Sequence, residues 1–196
     1  MEYGGFWRRL GAFVVDVVVM LPVVATVVCW GLPKSQFFLM YWLIPSIAIN
    51  VAYNIYLVKR WGGTPGLLAF KLRIRMLDNT PVTLKAAAIR YSVLLVLSIL
   101  GAIGGMIGSL RIHEASYFSL SAPQILAELA RLQPSWSRVT GLVMQLWFYG
   151  EFICLLLNKK RRGQQDFMAG TVVVKAHWLA AREAALASPA PCTKPQ

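Results

Sequence analysis

Five polar side chains lie within long apolar stretches of the sequence, where they could bind an ion or exchange a proton. They are two carboxylates, one guanidinium and two amides: Asp16, Glu151, Arg90, Asn50 and Asn54. A carboxylate at the centre of a bilayer costs about 2.5 to 3.5 kcal/mol, so each one needs a counter-charge, a water-filled cavity or a proton. Such a carboxylate can bind a cation or exchange a proton, and this is the chemistry that the sequence makes available.

The composition places these residues in a membrane protein. The 196 residues are 57% hydrophobic and 14% charged, and the mean hydropathy is +0.57. This is more apolar and less charged than a soluble domain. The net charge of +12 would suggest a nucleic-acid partner in a soluble protein, but here the basic residues gather between the apolar stretches and at their ends. We therefore expect the lipid bilayer with its anionic headgroups as a partner, and no nucleic acid.

Four apolar stretches are long enough to cross a membrane, which takes about 20 helical residues. They cover residues 10–31, 37–58, 84–108 and 139–157. The sequence therefore predicts an all-α, polytopic membrane protein built as a four-transmembrane-helix bundle. Lysine and arginine are most frequent between the second and third stretches and after the fourth. The positive-inside rule accordingly places both termini in the cytoplasm.

The connections between the stretches differ in character. In the outer loop, Ser121-Ala122-Pro123 precedes apolar residues at helical spacing, which predicts a short amphipathic helix on or over the outer face of the bundle. Residues 70–78 of the central loop alternate between apolar and basic, which favours a strand or an extended segment at the headgroups. Residues 176–196 are predicted to form a cytoplasmic tail whose end is disordered.

Helical geometry brings the five polar residues to a similar depth in the membrane. At ~1.5 Å per residue, Asp16, Arg90 and Glu151 each lie about 10 Å from the cytoplasmic edge, and the two asparagines bracket that depth. We expect these residues to converge, with Arg90 compensating one or both carboxylates. Two interpretations of such a layer are open: a polar network that holds the helices together, and a site that binds an ion or a proton.

Two further charged residues flank this layer. Arg9 precedes Asp16 by seven residues, so the two share a helix face but lie about 10 Å apart along the axis and are not a simple ion pair. We expect Arg9 to reach the headgroups. Asp166 follows the last apolar stretch, and it either caps the segment after it or pairs with a basic residue such as Arg9 or Arg73.

The third apolar stretch carries glycines at four-residue spacing, namely Gly101 with Gly105 and Gly104 with Gly108. Such spacing lets another helix approach closely. The approaching helix belongs either to this chain or to a second copy in a homo-oligomer.

Three separated segments, residues 5–16, 62–78 and 162–174, resemble the RDD family of bacterial membrane proteins in sequence and in order. The resemblance covers residues 5–175, taken as one membrane domain, and implies a location in the bacterial inner membrane. The matching motif positions are Arg9, Asp16, Thr64, Gly66, Asp78, Asp166, Gly170 and Thr171. Leu67 and Asn79 depart from the family pattern. Transport is the activity proposed for the family, and cation/proton antiport has been assigned to some members.

The sequence favours two functions, neither of them enzymatic. It contains no glycine-rich phosphate loop with its lysine, no metal-ligand spacing around His113 and His177, and no nucleophile with a base beside it. We therefore expect no cofactor and no bound metal. One function is a small transporter that exchanges a cation for a proton at an intramembrane carboxylate. The alternative is a non-catalytic scaffold or accessory subunit, whose partner is another membrane protein or a second copy.

Overall fold

The computed structural model describes residues 2–158 and 161–187. Four of its helical segments are long and apolar enough to cross a membrane: Phe6–Lys34, Phe38–Ala69, Leu84–Leu110 and Ser135–Leu157. We call them the first to fourth transmembrane helices. They cover the four predicted apolar stretches to within a residue, so the prediction of a four-helix, multi-pass membrane protein is confirmed.

The transmembrane helices expose apolar side chains on their outer faces. Val18, Ile44 and Leu146 are more than half exposed, as are other large apolar residues along the four helices. A surface of this kind is unfavourable in water but lies against lipid in a bilayer. A helix suits this position because it satisfies its backbone hydrogen bonds internally. The buried faces are therefore the ones that position the polar residues.

The second transmembrane helix turns back at its end. Gly62 has a left-handed backbone with φ of 73°, which ends the regular helix at Trp61. Thr64 then caps a short helix, Pro65–Ala69, by accepting a hydrogen bond from the backbone N–H of Leu67 at 3.5 Å. This short helix packs against the first transmembrane helix.

A two-stranded antiparallel sheet lies at one end of the bundle, which we call the base. Strand β1, Leu72–Met76, pairs with strand β2, Thr171–Lys175, and Ile74 lies opposite Val173. Both of these side chains are almost fully buried. β1 lies within residues 70–78, where the sequence predicts a strand, whereas β2 has no sequence-based prediction. The helical prediction therefore holds for the bundle, and the small sheet is an addition to it.

The opposite end of the bundle is covered by the connection between the third and fourth transmembrane helices. It contains two short helices, Glu114–Tyr117 and Ala122–Leu132. The second confirms the predicted amphipathic helix, and its Ile125 is fully buried in a cluster with Tyr117 and Leu32. The Tyr117 hydroxyl also donates a hydrogen bond to the carbonyl of Leu32 at 2.7 Å. The amphipathic helix is thus packed onto the bundle.

Two shorter helices follow the fourth transmembrane helix. Gln164–Ala169 lies at the base and precedes β2, and Ala176–Ala187 follows β2. The second of them occupies part of the predicted tail. The disorder predicted for the end of the tail concerns residues 188–196, which lie outside the described residues.

The glycines of the third transmembrane helix differ in what they contact. A Cβ added at Gly104 would overlap the side chain of Ser137 on the fourth transmembrane helix. A Cβ at Gly108 would lie 3.0 Å from the carbonyl oxygen of Leu129. Gly101 has open space around it. Gly104 and Gly108 therefore serve packing within this chain, which is one of the two interpretations of the spacing.

Gly104→Ala is expected to destabilise the folded protein, because the added methyl group forces Ser137 and its helix away. An overpacked contact of this kind costs about 1 to 3 kcal/mol. Gly101→Ala is the matched control, since it adds the same methyl group to the same helix in open space. Thermal unfolding in detergent measures both, and an equal midpoint for the two variants would contradict the assigned packing.

Candidate ion-binding site

Asp16 is held by donors from three places in the chain. Its Oδ1 accepts hydrogen bonds from the Tyr53 hydroxyl at 2.5 Å and from the Gly66 backbone N–H at 2.7 Å. Its Oδ2 accepts one from the Thr64 hydroxyl at 2.6 Å. These neutral donors offset part of the cost of placing a carboxylate in a transmembrane helix. They also tie the first transmembrane helix to the turn that follows the second.

This arrangement requires glycine at position 66, because there is no room for a side chain. A Cβ at this position would overlap the backbone carbonyl oxygen of Ala12 and the carboxyl group of Asp16. Without a side chain, the short helix Pro65–Ala69 comes close enough for the Gly66 N–H to reach Asp16. This is the physical reason for a glycine in the central-loop motif.

Tyr53 is a site residue that the sequence analysis does not predict. It lies in a π-helical turn, Ala52–Tyr56, of the second transmembrane helix, between the predicted residues Asn50 and Asn54. π-helical turns occur often at functional sites because they redirect side chains. The position of a phenol between two amides, at the depth of Asp16, is the signal that could have indicated it.

Asp166 is the centre of a second polar cluster, at the base. Its Oδ2 forms an ion pair with Arg9 at 2.7 Å, and its Oδ1 forms one with Arg90. The carboxylate also accepts hydrogen bonds from the Gly163 N–H at 3.1 Å and the Thr171 hydroxyl at 3.2 Å. Asp166 therefore does both things that the sequence allows: it caps the helix that contains it and pairs with Arg9.

The Asp166 carboxylate is ionised in this cluster. Burial alone would raise its pKa, since the side chain is 0% exposed. The charges of Arg90 and Arg9, together with their hydrogen bonds, outweigh burial and hold the pKa of Asp166 well below its ordinary value of 3.8. A single carboxylate thus neutralises part of the charge of two arginines.

Both arginines have their ion-pair partner at the base. Arg9 is expected at the headgroups but is only 8% exposed; it pairs with Asp166, which is one of the two expectations for Asp166, and also donates to the carbonyl oxygen of Arg161 at 2.6 Å. Arg90 is expected to compensate Asp16, Glu151 or both; its ion pair is with Asp166, and its charge also acts on Glu151. The base folds back onto the helix ends and supplies the nearer carboxylate.

Glu151 accepts a hydrogen bond from the backbone N–H of Gln165 at 3.1 Å. Gly163 lies so close to its other oxygen that an added Cβ would overlap it. No lysine or arginine among the described residues forms an ion pair with either Glu151 or Asp16. These two carboxylates therefore differ from Asp166 in forming no ion pair, although the charges of Arg90 and Arg9 act on Glu151 from a greater distance.

Asn50 and Asn54 contribute to contacts between and within helices. The Asn50 amide accepts a hydrogen bond from the Tyr91 hydroxyl of the third transmembrane helix at 2.9 Å and donates one to the Ser46 carbonyl oxygen at 2.9 Å. Asn54 donates to the carbonyl oxygen of Asn50 at 3.1 Å. For Asn50, the structure supports the interpretation of a polar network that joins two helices.

The five predicted polar residues nevertheless line one cavity between the four transmembrane helices. Its volume is about 730 Å³, and its lining contains Asp16, Glu151, Arg90, Asn50 and Asn54 together with many apolar side chains. Arg9, Tyr53 and Thr64 also line it. The predicted residues thus share one cavity, although Arg90 pairs outside the predicted set.

The remaining motif residues lie outside the cavity. Asp78 is exposed and accepts hydrogen bonds from the backbone and hydroxyl of Thr80 at 2.9 and 2.7 Å, which forms a turn. These hydrogen bonds lower the pKa of Asp78. Gly170, with φ of 63°, ends the helix before β2. Among the described residues, no group of His, Cys, Asp and Glu side chains could hold a metal ion.

Comparison with known proteins supports the family resemblance. The model of the RDD family matches residues 3–170, which includes all four transmembrane helices and Asp166 with both of its arginine partners. Comparisons with curated proteins and with solved structures give no significant match. Since the matched region is most of the chain, this protein belongs to the RDD family.

Proposed function

We propose that this protein is a small membrane transporter that exchanges a cation for a proton at the carboxylates of its central cavity. The observation that supports this is the charge balance of five residues, Arg9, Arg90, Asp166, Asp16 and Glu151. Arg9 and Arg90 contribute two positive charges, and Asp166 pairs with both of them. Asp16 and Glu151 line the same cavity and form no ion pair with the described basic residues.

With every group ionised, this set carries one unbalanced negative charge. An unbalanced charge is costly in a transmembrane region. One bound cation neutralises it, and so does one bound proton. Because either of them removes the cost that the other would remove, the binding of one weakens the binding of the other, which is the thermodynamic basis of exchange.

The contacts of the two carboxylates support different roles for them. Both oxygens of Asp16 already accept hydrogen bonds, so a proton on Asp16 would disturb a donor contact. Glu151 has one backbone hydrogen bond and lone pairs left for a proton. We therefore assign the proton to Glu151, and the cation to the cavity beside Asp16.

We further propose that the base faces the cytoplasm of a bacterium and that the protein lies in the inner membrane. Arg60 lies near the base end of the second transmembrane helix, Arg73 and Arg75 lie in strand β1, and Arg161 and Arg162 enter the base after the fourth helix. Basic residues of this kind favour the cytoplasmic side. Cysteine labelling of the connection Glu114–Tyr117 from outside intact cells tests this orientation.

Proteoliposomes with a trapped pH indicator test the exchange. A sodium, potassium or lithium gradient is expected to drive proton movement in the opposite direction. Asp16→Asn is expected to reduce the cation affinity about 10- to 150-fold, because it removes a charged interaction of about 1.5 to 3 kcal/mol. Glu151→Gln is expected to abolish coupling to protons.

Glu128→Gln provides the control, since Glu128 lies in the Ala122–Leu132 helix and pairs with Arg131 away from the cavity. It is expected to leave flux unchanged. If folded wild-type protein moves no protons in any gradient, or if the Asp16 and Glu151 variants match wild type, the proposal is wrong. A non-transporting protein that copurifies with a membrane partner would instead support the scaffold.

A further inference from the structure

We infer that the cavity takes a lipophilic organic cation, that is, a molecule with an apolar body and one positively charged head. This inference deepens the proposed function, on which it rests for the direction of transport, because it names the class of cation. It derives from the size of the cavity, from the distribution of its polar groups and from the charges left without a basic partner.

The cavity is too large for an inorganic cation alone. Its volume of about 730 Å³ compares with about 30 Å³ for each water in the liquid. Pockets that bind organic ligands have volumes of roughly 300 to 1,000 Å³ and are lined mostly by apolar side chains with a few polar groups. The cavity has this size and this kind of lining.

The charged and amide groups of the cavity lie in the half nearer the base, and the lining beyond them includes two hydroxyl groups, those of Ser46 and Ser98. Beyond Asp16, the first transmembrane helix presents only apolar side chains to the cavity, among them Val17, Val24 and Val27. From Asp16 to Val27 this apolar side extends about 16 Å along the helix axis. An inorganic ion finds few ligands in this half, because the Ser46 and Ser98 hydroxyls are hydrogen-bonded within their own helices. The apolar body of an organic molecule, by contrast, is transferred favourably from water to such a surface.

The head of the ligand is positive because of the charges that it meets. Arg9 and Arg90 are both engaged by Asp166 and so do not call for an anion. Asp16, at the boundary between the polar and apolar halves, is the carboxylate next to the apolar part. A ligand whose cationic head lies beside Asp16 and whose apolar body lies along Val17 and Val24 matches both the charge of the polar half and the surface of the apolar half.

Two sources could supply such a cation: a free lipophilic molecule, or the amine headgroup of a bilayer lipid. Tetraphenylphosphonium is a suitable probe because it combines a positive charge with an apolar body, which is the chemistry that both sources share. The test uses the full chain in nanodiscs made of phosphatidylglycerol, which has no cationic headgroup. A second preparation contains phosphatidylethanolamine, and binding is measured by equilibrium dialysis in both.

Val24→Trp fills the apolar half of the cavity, and Val18→Trp is the matched control because Val18 lies on the same helix outside the lining. Val24→Trp is expected to weaken tetraphenylphosphonium binding about tenfold or more. Asp16→Asn is expected to weaken it about 10- to 150-fold. Val18→Trp is expected to bind as wild type does. Weaker binding in phosphatidylethanolamine, after subtraction of the binding to empty nanodiscs of the same lipids, would support the same site with a lipid amine as its natural occupant.

The outcomes separate this inference from the proposed function. If wild-type protein exchanges inorganic cations for protons but does not bind tetraphenylphosphonium, the inference fails and the function stands. If Val24→Trp binds the probe as tightly as wild type, the inference also fails. If the probe binds with the expected variant pattern but no flux occurs, the site is supported and the transport function fails.

Discussion

Asp166→Asn is expected to lower the free energy of unfolding by about 3 to 5 kcal/mol, the usual cost of breaking a buried ion pair by removing one partner. The substitution leaves the Arg9 and Arg90 guanidinium groups buried beside a neutral amide. It also weakens the cap of Gln164–Ala169, because the amide is a poorer acceptor for the Gly163 N–H than the carboxylate. Thermal or denaturant unfolding in mild detergent measures the loss.

The contribution of Asp166 also depends on pH in a defined direction. Its pKa is depressed in the folded protein, so the unfolded state binds a proton more readily as the pH falls. The stability advantage of wild type over Asp166→Asn is therefore full well above the ordinary pKa of 3.8 and shrinks as the pH falls below it. An advantage that grows on acidification would contradict the ionised assignment.

Asp78→Asn is the control for both measurements. Asp78 is an exposed aspartate of the same motif set, and its hydrogen bonds are local ones to Thr80. A change there is expected to fall within about 0.5 kcal/mol of wild type, as surface substitutions usually do. Equal losses for the two variants would show that Asp166 does not hold the base together.

Gly66→Ala is the second change with a large expected effect, because it acts on stability and on the site together. The added methyl group overlaps the Ala12 carbonyl oxygen and the Asp16 carboxyl group. The short helix Pro65–Ala69 must then move away from the first transmembrane helix, which withdraws the Gly66 N–H from Asp16. We expect a loss of at least about 1 to 3 kcal/mol from overpacking, and weaker cation exchange in proteoliposomes.

Gly141→Ala controls for a methyl group added to a helical glycine, since it has open space around it. It is expected to unfold and to transport as wild type does. Normal exchange in a Gly66→Ala protein would show that the hydrogen bond from Gly66 to Asp16 is not needed for the site.

The helices of this fold could be predicted because a bilayer permits few structures and apolar stretches of sufficient length reveal them. The depth of Asp16, Arg90 and Glu151 was also predictable, since a helix rises by a fixed amount per residue. Helix rotation is not fixed by depth. This is why the sequence predicts that these residues converge in one layer but does not predict the ion pair of Arg90 with Asp166.

The structure of the base is the part of the fold that could least be predicted from the sequence. Strand β2 contains Val172, Val173 and Val174, which are all fully buried, so it lacks the alternation that identified β1. Its pairing with β1 joins segments that are far apart in the chain, and local patterns do not encode such contacts. Once the pairing exists, Asp166 lies beside Arg9 and Arg90, which explains why Arg9 is buried and why Arg90 forms its ion pair there.

The Asp166 cluster has a consequence for synthesis. Asp166 is 157 residues from Arg9 and 76 from Arg90, and it is made after all four transmembrane helices. Arg9 and Arg90 therefore enter the membrane region before the carboxylate of Asp166, their counter-ion, has been synthesised. Closing such a long loop is slow compared with local contacts. A nascent chain that ends before Asp166 should accordingly depend more on an insertase, and on protection from proteases, than the complete chain does.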